Sequence, residues 1–191
     1  MQHSNNHKMK QTMNKLKYLI PVCLIGLIGC ADLNELEPIN SVPSSTAVST
    51  EGSARAAVNG LYSEMQDATL VFDGFLALPQ YFTDECDFTG TFPTRLEFGN
   101  LNVFPANTTM GAVFSDLYQV INIANNVIEL IPAVDQEGFE DAEKDDLVAQ
   151  AKFVRAHCYL HLTTLWQDVP MPLTATKEVG EILEIPSTAQ A

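Results

Sequence analysis

With 24 Asp and Glu against ten Lys and Arg, the 191-residue chain carries a formal charge of −14, and 46% of its residues are hydrophobic. That supplies apolar material for one core, while the acidic balance repels nucleic acid and anionic lipid headgroups and excludes a function that rests on binding either by charge. The four cysteines, Cys23, Cys30, Cys86 and Cys158, are too few and too scattered to form a disulfide framework.

The bases cluster at the start. Residues 9–18, MKQTMNKLKY, carry Lys10, Lys15 and Lys17 and no acid, and residues 18–29, YLIPVCLIGLIG, follow as a short apolar run. That run falls well short of the ~20 residues that cross a bilayer, so a positive segment followed by a brief apolar one reads as an export signal. It ends in Leu27-Ile28-Gly29-Cys30, which resembles the lipobox of bacterial lipoproteins. The resemblance implies that the Cys30 thiol receives diacylglycerol, that the peptide is cut before it, and that the new amine is acylated. Small Gly29 gives the peptidase access, and only a thiol forms the thioether. Four of the ten bases (Lys8, Lys10, Lys15, Lys17) and none of the 24 acids precede Cys30, leaving six bases against 24 acids and a charge of −18. Membrane contact is therefore expected through the lipid anchor only. The chain divides into a signal peptide over 1–29, a lipidated tether over 30–49 and a folded part over 50–191. The tether's acids fit recognition for surface export and Asp32 fits inner-membrane retention, and the sequence leaves both fates open. Cys86 and Cys158 are expected as buried thiols.

Thr50 is placed to cap a helix over 51–66, with Ala54, Val58, Leu61 and Met65 on its inner face and Ala57 and Gly60 allowing close approach. Residues 67–109 scatter Phe72, Phe75, Tyr81, Phe82, Phe88, Phe92, Phe98 and Phe104 among Gly, Thr, Asn and Pro. They predict a short helix near 69–82 and then a long irregular segment with one strand, the kind of loop that binds or covers something. Over 112–131, Phe114, Leu117, Tyr118, Ile121, Ala124, Ile128 and Ile131 recur at helical spacing up to Pro132. Over 143–166, Leu147, Ala151, Val154, Cys158, Leu162 and Leu165 do the same, widened by Phe153, Tyr159 and Leu160. Helices apolar on more than one side expect neighbours on two faces, as in a helical repeat or α-solenoid. Gln167-Asp168-Val169-Pro170 stops the second helix and leaves MPLTATKEV extended.

FSDLYQVINIANNVIELI, AKFVRAHCYLHLTTLWQDVPMPL and TEGSARAAVNGLYSEM, taken with the lipobox, resemble the SusD/RagB family of outer-membrane nutrient-binding lipoproteins. Tyr118, Ile121 and Asn125 fit one motif, Ala151, Arg155 and Ala156 a second, and Asp168, Val169 and Pro170 a third. The departures are Phe114 where Trp is common and Trp166-Gln167 where an aromatic-Gly pair is usual; a left-handed residue there is less comfortable as Gln. The resemblance implies an all-α, tetratricopeptide-like fold with long irregular loops. It implies a surface-exposed, lipid-anchored outer-membrane protein that captures a nutrient, most often a glycan, and hands it to a SusC-like TonB-dependent transporter, with no cofactor and no bond chemistry. It also implies that the chain, ending at IPSTAQA where another helix is due, is an N-terminal fragment. The alternatives are a lipid-anchored scaffold for envelope proteins, a truncated remnant, or an anchored glycan hydrolase.

His157 and His161 stand at i, i+4, a metal-ligand spacing, but Cys158 replaces the general-base Glu of a zinc-protease helix, and packing at a helix interface explains them better. Arg155, in an apolar stretch, needs an acceptor such as Asp168, Asp84 or the Asn125 carbonyl and reads as a clamp between helix and turn. The acidic runs 84–87 and 135–137 match no calcium loop. Some aromatics of 72–104 suit stacking on sugar faces. No catalytic arrangement is legible, so no enzyme is expected.

Overall fold

A computed structural model of the chain describes residues 47–83 and 85–176. The expected signal peptide over 1–29, Cys30, the tether up to residue 46, Asp84 and everything from residue 177 onward lie outside the described residues.

The described part is all-α. Helix α1 spans Glu51–Glu64, a π-helical stretch Thr69–Ala77 runs into α2 at Leu78–Tyr81, α3 spans Pro93–Gly99, α4 spans Thr108–Leu130, and α5 spans Asp141–Trp166. No strand occurs among the described residues. The long helices form a tetratricopeptide-like arrangement in which α4 packs against α5 as a hairpin and also touches α1 and the π-helical stretch. Phe114 near the start of α4 meets Trp166 at the end of α5, with ring centroids 5.2 Å apart. No helix among the described residues is long and apolar enough to cross a membrane.

Helix α1 starts at a capping box, in which the Thr50 side chain accepts from the Ser53 backbone N–H and the Ser53 hydroxyl oxygen accepts from that of Thr50. A third partner comes from far along the chain, since the Glu51 N–H donates to Gln136 Oε1 at 2.7 Å. Arg55 then bridges Glu51 and Glu143, tying α1 to the start of α5. Ala54, Val58 and Leu61 are buried as the spacing predicts. Gly60 does not provide the expected close approach: it lies well round the helix from that stripe, and a Cβ there would meet nothing. The close glycine is Gly74, where a Cβ would come within 3.2 Å of Val113 on α4.

The segment 67–109 is more ordered than its sequence predicts. Its first part is helical, but Thr69–Ala77 winds as a π-helix, a geometry often found at functional sites. The expected irregular stretch and strand are replaced partly by α3. Pro93 occupies a first-turn position where its missing N–H is no loss, and Phe98 is fully buried. Asn107 fixes α3 to α4. Its amide donates to the Thr94 carbonyl and to Glu97 Oε2, both at 2.7 Å, while its side-chain oxygen accepts from Met110 N and caps α4.

Helix α4 therefore begins ahead of residue 112, and its buried set is broader than the stripe read from sequence. Val113, Val120 and Val127 join Leu117, Ile121 and Ala124 in the core, whereas Phe114, Tyr118 and Ile128 are only partly buried. This follows from its central position, because neighbours on two sides bury two stripes. On α5, Leu147, Ala151, Val154, Cys158 and Leu162 are buried. Phe153 and Leu160, expected to widen that stripe, are instead 69% and 62% exposed, since the described neighbours of α5 cover its other face. Each fully buried aliphatic contributes roughly 1.5–3 kcal/mol relative to exposure.

Candidate functional site

Two surfaces gather the polar and aromatic residues that the core does not use. One surrounds the extended segment that leaves α5. Trp166 is followed by Gln167 with φ 64°, a positive value that favours glycine, and the chain then doubles back along α4 and α5. Pro170 and Pro172 offer carbonyls without N–H groups, so the segment cannot pair as a regular strand and must find donors on side chains. The helices supply them. Tyr118 Oη donates to the Pro170 carbonyl at 2.6 Å and Tyr159 Oη to that of Pro172 at 2.7 Å. Asn125 Nδ2 donates to the carbonyls of Pro172 and Thr174 at 3.1 and 3.0 Å. Arg155 Nη1 donates to Asn125 Oδ1 at 2.7 Å and to the Leu173 carbonyl at 3.2 Å. Beyond these, the Ala175 and Thr176 N–H groups donate to Glu129 Oε1 and Asn122 Oδ1.

Four of the five motif residues thus meet in one network, with Pro170 contributing its carbonyl. The fifth, Asp168, is exposed and forms no ion pair with Arg155, whose side-chain partner is the buried Asn125. Burial pushes the Tyr118 hydroxyl up to about 12 and the Tyr159 hydroxyl above the usual tyrosine range, the latter helped by nearby Tyr118. Both therefore remain protonated donors at neutral pH. Asn122 and Glu129 were not singled out from the sequence and Tyr159 was read only as part of the apolar stripe, though a signal was there. Tyr118, Asn122, Asn125 and Glu129 fall at i, i+4, i+7 and i+11, a polar stripe on an otherwise apolar helix, and Arg155 and Tyr159 stand at i, i+4.

The second surface is aromatic and centres on Arg95 of α3. Arg95 Nη2 reaches both oxygens of Asp73, at 2.8 and 2.9 Å, and Asp73 is itself buried in the π-helical stretch. Around the guanidinium lie the rings of Phe92, Phe72 and Phe88, at 5.4, 5.5 and 5.9 Å to their centroids, within cation–π range. Phe88 packs over Gly90, where a Cβ would strike the ring at 2.4 Å. Phe72 and Phe92 are 53% and 64% exposed, and Phe82, Leu101 and Phe104 are also exposed. Sequence reading missed the pair, although Arg95 is the only Lys or Arg between residues 56 and 143. Beside this surface, Tyr81, Thr83, Glu85, Cys86, Asp87, Gly99 and Leu101 line an open cavity of about 360 Å³. Cys86 is exposed rather than buried as expected, because it lies on the loop rim, and it is unpaired; Cys158 is buried, with its thiol pushed up to about 12 by burial.

His157 and His161 sit with ring centroids 4.7 Å apart and pack on Phe75 of the π-helical stretch, at 5.2 and 4.5 Å. Burial, and then His157, lowers the affinity of His161 for a proton. Among the described residues, no three His, Cys, Asp or Glu side chains are grouped to hold a metal.

Residues 94–188 match the family model SusD-like_3, described as starch-binding and associating with outer membrane. The matched range includes Arg95 and the whole network around residues 170–176. SusD-like protein P2 of Formosa agariphila is 28% identical over 187 residues, covering 93% of this chain and 35% of the relative. SusD-like protein P25 of the same organism is 26% identical over 159 residues, covering 77% of this chain and 29% of the relative. The chain thus spans about a third of the length of these curated relatives. No solved structure matches it significantly.

Proposed function

We propose that the chain, with its match to the SusD-like_3 model and its likeness to two SusD-like proteins, is part of a SusD-like, glycan-binding protein associated with the outer membrane. The observation that carries this reading is the family match over residues 94–188, which takes in Arg95 and the α4–α5 hairpin with its bound segment, while the rings around Arg95 lie ahead of it. In this reading the hairpin is a rigid mount. The exposed rings of Phe72 and Phe92 offer flat apolar faces that stack on the C–H faces of sugars, and nearby amide and carboxylate groups accept their hydroxyls. Binding and release without bond chemistry complete the task. Lipidation of Cys30 after removal of residues 1–29 would hold the protein at the cell surface over a tether reaching residue 49, and a SusC-like TonB-dependent transporter would receive the ligand.

Affinity electrophoresis of the full chain through gels containing starch and other polysaccharides tests the binding. Retardation by at least one glycan is expected, together with weaker retardation of Phe92→Ala. Unaltered migration in every gel would remove the reading. The anchor has its own test: labelled palmitate is expected in the wild-type protein and absent from Cys30→Ala. A second reading, a helical scaffold for envelope proteins, draws on Phe153 and Leu160, which stand exposed at i, i+7 on α5. Stable capture of one envelope protein, lost in Phe153→Ser and accompanied by no glycan binding, would favour it.

A further inference from the structure

We infer that Arg95 directs this surface toward saccharides that carry an oxyanion, a carboxylate or a sulfate ester, with the exposed rings of Phe72 and Phe92 beside it as platforms. The inference rests on the glycan-binding reading above and goes beyond it by fixing the charge of the ligand.

Cations are scarce in the described part of the chain, and the others are committed or remote. Arg55 is shared between Glu51 and Glu143, Lys144 pairs with Asp141 and lies over Phe139, Arg155 is spent within the 170–176 network, and Lys152 stands on the exposed surface of α5. Arg95 differs from all of these. Its Nη2 alone serves both Asp73 oxygens, so Nε and Nη1 have no hydrogen-bond partner among the described residues. No buried side-chain polar atom among those residues lacks a partner, so neither nitrogen is fully shut off from solvent. The side chain is 25% exposed. A residue that served only to neutralise Asp73 would be expected to turn two nitrogens toward it, as guanidinium–carboxylate forks do. Here one nitrogen alone holds the carboxylate, which leaves the N–H groups of Nε and Nη1 uncommitted.

The surroundings suit a sugar rather than a free anion. Phe72 and Phe92 flank the charge and remain more than half exposed, an arrangement that is costly in water unless something covers the rings. They also thin the water around the guanidinium, which strengthens a charge-assisted hydrogen bond from its uncommitted N–H groups. A pyranose ring stacked on either phenylalanine would bring a ring substituent toward Nε and Nη1. The acidic surface of the rest of the chain repels nucleic acids. Recognition is therefore local, with one oxyanion read between two apolar platforms.

Titration calorimetry on the full chain separates the possibilities, using oligogalacturonate, its methyl ester and a sulfated galactan oligosaccharide as probes. The free acid or the sulfated probe is expected to bind about tenfold or more tightly than the neutral ester, and the tighter of the two identifies the oxyanion. Arg95→Gln should bring the acidic probe down to the level of the ester. Because that change strands Asp73, Asp73→Asn provides a second reading. It keeps an acceptor beside Arg95 while releasing its full charge, so acidic-probe affinity should hold or rise. A methyl ester that binds as tightly as the acid, or a folded Asp73→Asn protein that loses preference for the acid, overturns the inference while leaving glycan binding intact. If none of the three probes binds and no polysaccharide gel retards the chain, both readings fall together.

Discussion

The chain holds two stretches outside its long helices against them, and it does so in opposite ways. Residues 170–176 are fastened by hydrogen bonds from a polar stripe on α4 and α5 to backbone carbonyls and N–H groups. Residues 82–107 are held by rings, by the short helix α3 and by one ion pair, Arg95 with Asp73. The contrast shows how each mode spends its side chains. Hydrogen bonds to backbone leave the fastened segment's identity nearly free and its position fixed, whereas ring packing fixes by area and leaves the outer rings exposed. The first mode suits a structural brace and the second a surface that meets a ligand.

The comparison can be broken most severely at Asn125. Replacing it with Leu removes both carbonyl bonds and the partner of Arg155 at a site that is 1% exposed, and a loss of about 3 kcal/mol is expected from urea denaturation. Asp73→Ala comes next. It should cost about 2 kcal/mol, below the range for fully buried pairs because Arg95 is partly solvated. In hydrogen exchange it should loosen 82–107 while sparing 170–176, and equal loosening of both would show that the two regions are one unit. Gln167→Gly should act in the opposite direction, stabilising by about 1 kcal/mol in the same denaturation assay by relieving the positive φ where the brace begins.

The smallest effect is expected from pH. His161 has a folded-state proton affinity below that of an unfolded histidine, owing to burial and then to His157. The unfolded chain therefore binds more protons as pH falls below ~6.5, and the stability present above that value declines as pH drops through the folded pKa. His161→Phe, facing Phe75 and His157, should flatten the denaturation midpoint between pH ~7 and ~5. An unchanged slope would place the titration elsewhere.

The parts of this picture legible in the sequence are those governed by helical period. Helices α1, α4 and α5 announced themselves because their apolar residues repeat over many turns, and Arg155 stood out as a charge in an apolar stretch, whereas Tyr118 and Asn125 were marked only by the family resemblance. Helix α3 did not, because seven residues between aromatics and turn formers contain too little period to read, and Pro93 serves equally as a breaker or as a first-turn residue. The Arg95–Asp73 pair was hidden by its separation, since 22 residues divide its members and Asp73 lies in a run that reads as apolar helix. The close approach expected at Gly60 occurs instead at Gly74 for a similar reason: which glycine meets a neighbour depends on how helices are arranged, not on local spacing.

The bond from Glu51 N–H to Gln136, with the Arg55–Glu143 bridge beside it, also has a mechanical meaning. A pull on the chain ahead of Thr50 enters the fold at the first turn of α1. Were that turn capped only by its own residues, the load would peel the helix open one hydrogen bond at a time. Because the first turn is also fastened 85 residues away, at the loop joining α4 to α5, force arriving there is shared with the junction of the longest hairpin, and α1 resists as a shear joint instead of unzipping.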